Sequence, residues 1–330
     1  WDRNHPAYGT PEYNNVFVNM MKEVVSRYGP FFEYWWDGAN GEGPNGKKQV
    51  YDWHRFESTM RRIAPNAILF SDIGPDARWV GNENGFAGKT NWNLLDTAGF
   101  TRGAGAPPPD TLNQGNVNGA NWIPAECDVS IRPGWFYHAS EDSLVKTPEK
   151  LFEIYLKSVG RGANFLLNVP ADRRGLISTY DSASLVAFAA LRRKSFHLSL
   201  LQNGGASIRL GKENVKEVLT DGKRNTRISM GGDYKSKFLD IRFTKLQELN
   251  CIQLKEPLQN GQRVKAFNIE LLNGNQVLYR IEQTTIGHQR ILTFPMQAVT
   301  QIRIRVTDAK ADPLISEVGA YHIDERLVEK

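Results

Sequence analysis

The feature that most constrains the fold is a change of pattern near residue 198 of this 330-residue chain. Before it, segments with helical spacing of apolar residues alternate with short apolar runs, which predicts a parallel α/β sheet or barrel. After it, helical spacing disappears and short β-rich runs are separated by turn residues, which predicts an antiparallel sandwich of roughly seven or eight strands. We therefore predict two domains, 1–197 and 198–330.

In the first region the apolar spacing predicts four helices, at 16–28, 49–63, 148–162 and 178–196. Ser178 is the predicted N-cap of the last one. Short strands are predicted in FFEYWWDGAN, ILF, WIPAECDVS and NFLLNV. The second region supplies the β-rich runs KEVLT, KFLDIRF, CIQLKE, AFNIELL, QVLYRIE, RILTFP and QIRIRVT.

Composition narrows the function classes. The net charge of +5 is small and spread along the chain, so we predict solvated faces and no nucleic-acid partner. No segment approaches the roughly 20 apolar residues of a membrane span. Cys127 and Cys251 fall in different predicted domains and suggest neither a disulfide framework nor a metal cluster. All 8 tryptophans lie in the first 135 residues, where they could stack on sugar rings or form an aromatic core.

Polar residues follow the predicted strands at Asp37, Asp72, Glu126–Asp128 and Asn168. In a (β/α) barrel, catalytic groups lie at the carboxyl ends of strands. Asp37 is the first candidate, because it follows an aromatic run and precedes a glycine at which the chain can turn. A carboxylate in that position could attack an anomeric carbon. It could equally cap the next helix or hold a loop.

Glu83 is the second candidate, in the segment DARWVGNENG. Trp79 is close in sequence, and apolar surroundings raise the pKa of a carboxyl toward the value that a general acid needs at neutral pH. The alternative is a solvent-exposed glutamate on a loop.

Four segments, FFEYWWDGANG, DARWVGNENG, WIPAECDVSIRPGWFYH and GANFLLNV, resemble the family 29 glycoside hydrolases in this order. These are retaining α-L-fucosidases, and the likeness is strongest to the subgroup that cuts α-1,3 and α-1,4 fucosyl linkages on branched glycans. The resemblance implies a (β/α)8 TIM-like barrel, with Asp37 as nucleophile and Glu83 as acid/base. It also implies a fucosylated oligosaccharide or glycoconjugate as substrate, no metal or organic cofactor, and a periplasmic or secreted location.

The resemblance further implies a set of substrate contacts: Asn4, His5, Trp36, Arg78, Trp79, Glu126 and Trp135. The first two belong to the opening WDRNHPAYG, which resembles the loop after the third barrel strand. His5 and the three tryptophans have simpler alternatives. A lone histidine is more often structural, and a tryptophan is equally often a core residue.

The sequence also departs from the family. The His-His-Asp-Gly-Phe segment of the family's first strands is absent, so we expect the barrel to be N-terminally incomplete and this fragment to be inactive. Residues 198–330 resemble a discoidin-type jelly roll, which could bind glycans or pack against the barrel. Two other functions stay open: another barrel glycosidase with two catalytic glutamates, and a catalytically inactive glycan-binding protein.

Overall fold

A computed structural model describes residues 2–102, 105–202 and 205–329. The chain forms two compact units, each made of two segments of the chain. The first unit contains 1–81 and 93–126, and the second contains 82–92 and 127–330. The boundary between residues 197 and 198 therefore stays a prediction.

The first unit contains a parallel sheet covered by helices. Its strands lie in the order β1 (Glu33–Trp35), β2 (Ile68–Ser71), β3 (Ala77–Trp79) and β6 (Ala125–Ser130). Register pairs such as Trp35 with Phe70 and Trp79 with Glu126 fix their alignment. Its elements are α1 (Pro11–Tyr28), β1 (Glu33–Trp35), α2 (Trp53–Ile63), β2 (Ile68–Ser71), β3 (Ala77–Trp79), β4 (Leu94–Leu95), α3 (Pro109–Gln114), β5 (Asn121–Trp122) and the start of β6 (Ala125–Ser130).

The helices form where their ends are capped and one face is apolar. Pro11 begins α1, and the chain leaves it at Gly29 with a φ of 85°. The side chain of Asp52 accepts a hydrogen bond from the Arg55 backbone N–H (3.1 Å) at the start of α2. Phe17 of α1 and Phe56 of α2 stack at 4.6 Å between ring centroids, in the core that also covers Leu69 of β2.

In the second unit, β6 continues to Ser130, and β7 (Asn164–Asn168) is its neighbour in the sheet order. Two helices follow the pattern predicted from the sequence, α4 (Pro148–Lys157) and α5 (Thr179–Phe196). The predicted N-cap of α5 is confirmed, because the Ser178 side chain accepts from the Tyr180 backbone N–H (3.3 Å). Cys127 and Cys251 are both buried.

Beyond α5 the strands are antiparallel. They are β8 (Ala206–Leu210), β9 (Glu213–Asn214), β10 (Ile228–Ser229), β11 (Leu239–Lys255), β12 (Val264–Asn273), β13 (Gln276–Gln283), β14 (Arg290–Ala309), β15 (Leu314–Ile315) and β16 (Glu317–Tyr321), with a short helix α6 (Lys216–Leu219). The larger sheet has the order β13-β12-β14-β11-β8-β9, with β16 also paired to β11. The combination of a parallel α/β sheet, typical of part of a barrel, with an antiparallel region is confirmed. The jelly-roll type stays a prediction.

Two details of the strand prediction are wrong. KEVLT forms helix α6, because Val215 and Leu219 reach the core at helical i, i+4 spacing. The pairs KFLDIRF/CIQLKE and RILTFP/QIRIRVT do not form separate strands but merge into the long β11 and β14. The shift in register between Leu249 and Cys251 absorbs Pro295, which lies in the bulge and has no ladder N–H to donate.

Short 3₁₀ turns complete the structure, at Ala139–Leu144, Val159–Arg161, Tyr234–Ser236, Leu258–Asn260 and Glu325–Leu327. Among the described residues, no helix combines the length and the apolar character that crossing a bilayer requires.

Candidate active site

Asp37 lies just beyond the carboxyl end of β1. The backbone N–H of Trp36 donates to the Phe70 carbonyl (3.1 Å), so β1 is held to β2 up to the residue before Asp37. The Asp37 side chain is exposed, and its Oδ1 accepts one hydrogen bond, from the Ala39 N–H (2.9 Å). The carboxylate is thus held through Oδ1, while Oδ2 has no hydrogen-bond partner among the described residues. This arrangement is suited to a nucleophile.

The loop that follows Asp37 is held by the N-terminal segment. The Tyr8 hydroxyl donates to the Gly41 carbonyl (2.8 Å), and the Gln49 side chain accepts from the Gly9 N–H (2.8 Å). Gly43 packs so closely that a Cβ atom would lie 2.9 Å from the Tyr8 ring and 3.0 Å from the Arg3 carbonyl oxygen. Only glycine fits at residue 43, so the N-terminal segment and the loop after Asp37 form one structural piece.

Asn4 and His5 lie in that N-terminal segment, whose first residue, Trp1, is outside the described residues. Asn4 is exposed, and its side chain has no hydrogen bond among the described residues. His5 is half-buried, with its Nδ1 accepting from the Ala7 N–H (3.1 Å) and its ring 5.5 Å from that of Tyr13. These contacts are those of a structural histidine, which leaves Asn4 the better placed of the two to contact a ligand.

Three other predicted contacts of the first unit differ in exposure. Trp36 is buried beside Trp53 in the core under the helices, at 5.8 Å between ring centroids, so its contact with a sugar stays a prediction. Arg78 is fully buried and donates to the carbonyls of Leu112 (2.8 Å) and Ile123, so we assign it to holding these segments. Trp79 is half-buried and packs on an apolar cluster.

Glu126 does not end a strand, contrary to the sequence prediction. It is the second residue of β6 and is buried. Glu33 of β1 faces it: burial, the charge of Glu126 and a hydrogen bond with Glu126 raise the pKa of Glu33 from 4.5 to about 7. The two side chains therefore form a carboxyl–carboxylate pair that holds one proton over much of the neutral range.

The Glu33–Glu126 pair lies further than Asp37 from the carboxyl end of β1. Glu33 precedes Asp37 by four residues, which along an extended chain is about 13 Å. Glu126 contacts Glu33 and so lies at the depth of Glu33. This separation is larger than the about 5–5.5 Å between the two carboxyls of a retaining site, so we assign neither glutamate as the acid/base.

The raised pKa of Glu33 predicts a pH-dependent stability. A carboxyl whose pKa is higher in the folded than in the unfolded chain stabilises the fold below about pH 4 and loses that contribution as the pH rises through about 7. We expect the thermal midpoint to fall by roughly 3–6 °C between pH 5 and pH 8. Glu33→Gln should remove about half of this fall, because burial also raises the pKa of Glu256 to about 7 and that group contributes over the same pH range. Glu42→Gln, on an exposed loop residue, is the control. An unchanged slope in Glu33→Gln, measured by calorimetry, would contradict the assignment.

Glu83 belongs to the second unit, on a tight turn. The Asn82 side chain accepts from the Asn84 N–H (3.1 Å) and donates to the Phe86 carbonyl (2.9 Å). Gly85 lies so close to the core that a Cβ atom would be 2.7 Å from Ile154 and 2.9 Å from Val129. The turn is fixed, and it presents Glu83 to solvent. The apolar surroundings that the sequence suggested for Glu83 are not found among the described residues of this unit.

The segment after this turn is hydrogen-bonded to the antiparallel domain. The Lys89 carbonyl accepts from the Arg290 guanidinium (2.7 Å), and the Asn91 carbonyl accepts from the Gln262 amide (2.8 Å). The Asn91 N–H donates to the Thr285 hydroxyl (3.0 Å). Arg290, Gln262, Thr285 and Asn91 are all buried, so residues 89–91 have a rigid attachment.

Trp135 also belongs to the second unit, in the turn after β6. Its indole is 37% exposed, and its carbonyl accepts from the Asn168 amide (3.0 Å) at the end of β7. Beneath it Arg132 is fully buried and donates to Asp181 (3.0 Å) of α5 and to Asp142 (2.8 Å). Trp135 is thus an exposed aromatic ring on a loop held by a buried ion pair, which suits a sugar contact.

Sequence reasoning missed Glu33 and Arg132. An acidic residue inside the aromatic run FFEYWWDG was a signal for Glu33, because positions 33, 35 and 37 share one face of an extended chain. Nothing in the sequence marked Arg132, since its partner Asp181 lies 49 positions away and is buried only in the folded chain.

Comparison with known proteins adds a family match. Residues 1–191 match the family described as alpha-L-fucosidase. An Arabidopsis thaliana protein named Alpha-L-fucosidase 1 is 36% identical over 335 aligned positions, which cover 97% of this chain and 64% of the plant protein. A rice relative is 38% identical, with 97% of this chain and 62% of the relative covered. The chain therefore spans less than two thirds of the length of these curated relatives.

Solved structures give a similar result. A variant of a Ruminococcus gnavus family 29 fucosidase, solved in complex with fucose, has a TM-score of 0.87 and 27% identity, covering 100% of this chain and 72% of its own. A glycoside hydrolase 29 family member from an unknown rumen bacterium has a TM-score of 0.82 and 34% identity, covering 98% of this chain and 56% of its own.

Proposed function

The chain belongs to the alpha-L-fucosidase family, and from this premise we propose that it forms part of a retaining α-L-fucosidase. The observation that carries the proposal is the position of Asp37, an exposed carboxylate fixed at the end of β1 within the matched residues. Asp37 and Glu83 are both exposed carboxylates on fixed backbone, and Asp37 is the one that follows a strand of the parallel sheet. The substrate is a fucosylated glycan, and the family supports a periplasmic or secreted location.

The mechanism we propose is double displacement. A carboxylate oxygen of Asp37 attacks the anomeric carbon of fucose, and the bond to the leaving oxygen breaks as Glu83 gives that oxygen its proton. Glu83 then removes a proton from water, the water oxygen attacks the anomeric carbon, and Asp37 leaves. Two inversions at one carbon retain the configuration. Asn4, Trp79 and Trp135 contact the sugar in this proposal.

We further propose that the substrate carries its fucose in α-1,3 or α-1,4 linkage on a branched glycan. The support is the segment RWVGNENG, which resembles that subgroup, and the exposed Trp135, which could pack on a second sugar. We expect the enzyme to release fucose from branched Lewis-type trisaccharides at least about tenfold faster, in kcat/KM, than from an aryl fucoside or from 2-linked fucosyl lactose. Fast hydrolysis of the latter two would refute the linkage assignment, and no hydrolysis of any fucoside would favour a glycan-binding protein without activity.

The complete active site needs strands beyond these residues, in our proposal. The curated relatives are longer than this chain, and β1 has only β2 beside it among the described residues. A parallel barrel with open edges leaves backbone groups unpaired and its interior unfilled. We expect residues 1–330 alone to show less than about 1% of the kcat/KM of the protein extended by its upstream coding sequence. Comparable turnover by the two proteins, both verified as folded by circular dichroism, would show that the upstream strands are not needed.

A further inference from the structure

One end of the antiparallel domain contains a cavity of about 190 Å³. Its wall is assembled from four separate parts of the chain: the turn after α6, the end of β11, the loop between β13 and β14, and the start of β16. The lining residues that bear charge or carry the argument are Lys223, Arg224, Lys255, Glu256, His288 and Glu317.

The frame of this cavity is rigid because of Glu256. Its side chain is buried, and its carboxylate accepts from the backbone N–H groups of Arg263 (2.8 Å), Val264 (2.9 Å) and Gly287 (2.8 Å). Its own N–H donates to the Gly287 carbonyl (2.9 Å), which fixes the loop that carries His288. The carboxylate of Glu256 is therefore occupied by the protein itself and does not repel a ligand as an exposed carboxylate would.

The charges that remain are mainly positive. Lys223, Arg224 and Lys255 line the cavity, and none of their side chains makes a hydrogen bond or ion pair with another described residue. Burial and the charges of Arg224 and Lys255 lower the pKa of His288. Arg224 and Lys255 thus act together on the part of the cavity that contains His288. Besides Glu256, the lining contains one carboxylate, that of Glu317, which lies opposite Lys255 in the register of β11 and β16.

The lining also excludes one class of ligand. It contains Pro257 and Leu258 but no Trp, Tyr or Phe. A neutral sugar would have no indole, phenol or phenyl ring to stack on, and such stacking is the main apolar contact available to sugars. An anionic oxygen group, in contrast, matches Lys223, Arg224 and Lys255, and charge-assisted hydrogen bonds are about twice as strong as neutral ones.

We propose that this cavity binds an acidic sugar residue of a polysaccharide, through the carboxylate or sulfate group of that sugar. Arg224 and Lys255 hold the anionic oxygens, Lys223 adds charge at the rim, and Glu317 accepts a hydrogen bond from a sugar hydroxyl. The volume is suited to a single sugar ring, so the remainder of the polymer would extend into solvent. The inference does not depend on the proposed fucosidase activity.

The test measures binding of the 1–330 chain by isothermal titration calorimetry at constant salt. The probes are a sulfated heparin-derived oligosaccharide, a polygalacturonate-derived oligosaccharide that carries carboxylates, and a neutral oligosaccharide of the same length. We expect at least one acidic probe to bind about tenfold or more tightly than the neutral one. The stronger of the two acidic probes then identifies the anionic group.

Variants connect this binding to the cavity. Arg224→Gln and Lys255→Gln are each expected to weaken the affinity for the acidic probe by about tenfold. Lys245→Gln removes the same charge from an exposed position of β11 outside the cavity, and its affinity should stay within about twofold of the unaltered chain. The proposal is overturned if neither acidic probe binds more tightly than the neutral one. It is also overturned if Lys245→Gln weakens binding as much as Arg224→Gln, because the attraction would then be one of general surface charge.

Discussion

Replacing Asp37 with alanine is expected to lower fucoside hydrolysis, in the protein extended by its upstream sequence, by at least about 10³-fold in kcat. The variant loses the carboxylate that forms the covalent intermediate, and nothing else at the end of β1 can replace it. The structural cost should be small, because the side chain is exposed and accepts a single hydrogen bond, from Ala39. The measurement is steady-state release of fucose.

Asp72→Ala is the matched control. Asp72 follows β2 as Asp37 follows β1, but its carboxylate accepts hydrogen bonds from the Ile73 N–H (2.9 Å) and the Ser71 hydroxyl (3.1 Å). We expect this variant to lose some stability and to keep its rate within about tenfold. If Asp72→Ala is the inactive variant and Asp37→Ala is not, the nucleophile has been assigned to the wrong strand.

Replacing Glu83 with alanine is expected to slow hydrolysis of a natural glycan by roughly 10²–10⁴-fold, and that of a fucoside with an activated leaving group far less. The difference arises because only the poor leaving group needs a proton to depart. Added azide should restore turnover of the activated substrate, since this small nucleophile needs no general base to attack the fucosyl-enzyme. The product should be α-fucosyl azide, identified by NMR, because azide attacks the fucosyl-enzyme from the side that water would use and the two inversions retain the configuration.

Variants of Glu126 are the comparison for Glu83→Ala. Because Glu126 is buried against Glu33, we expect Glu126→Ala to reduce stability and to slow all fucosides alike, without rescue by azide. Glu126→Gln, which keeps the size of the side chain, separates loss of charge from loss of packing. Azide rescue in a Glu126 variant and none in Glu83→Ala would reverse our assignment of the acid/base.

The sequence predicted those parts of the fold that depend on local pattern. The helices α1, α4 and α5 follow apolar periodicity and capping residues, and Ser178 caps α5 as expected. The prediction failed where distant residues decide the structure. KEVLT has the composition of a strand, yet a helix places Val215 and Leu219 in the same core.

Site residues show the same division. Asp37 could be placed from the sequence, because a short apolar run and a glycine mark the end of its strand. Glu126 was misplaced at a strand end, because β6 continues for four residues beyond it beside β7, and no local signal marks that extension. The burial of Trp36 and Arg78 could not be predicted from the sequence either, because the residues that they contact are distant along the chain. Trp36 packs beside Trp53, and Arg78 donates to the carbonyls of Leu112 and Ile123.

The hydrogen bonds between residues 89–91 and the antiparallel domain have a consequence for how this protein could evolve. A recombination event that exchanged only 198–330 for a foreign module would leave the Lys89 and Asn91 carbonyls without their donors Arg290 and Gln262. Each such loss of a buried partner costs about 1–3 kcal/mol. Successful module exchange would therefore require matching substitutions in residues 82–92, the segment that carries Glu83. The two stretches are thus expected to change together in a lineage, although 171 positions separate Asn91 from Gln262.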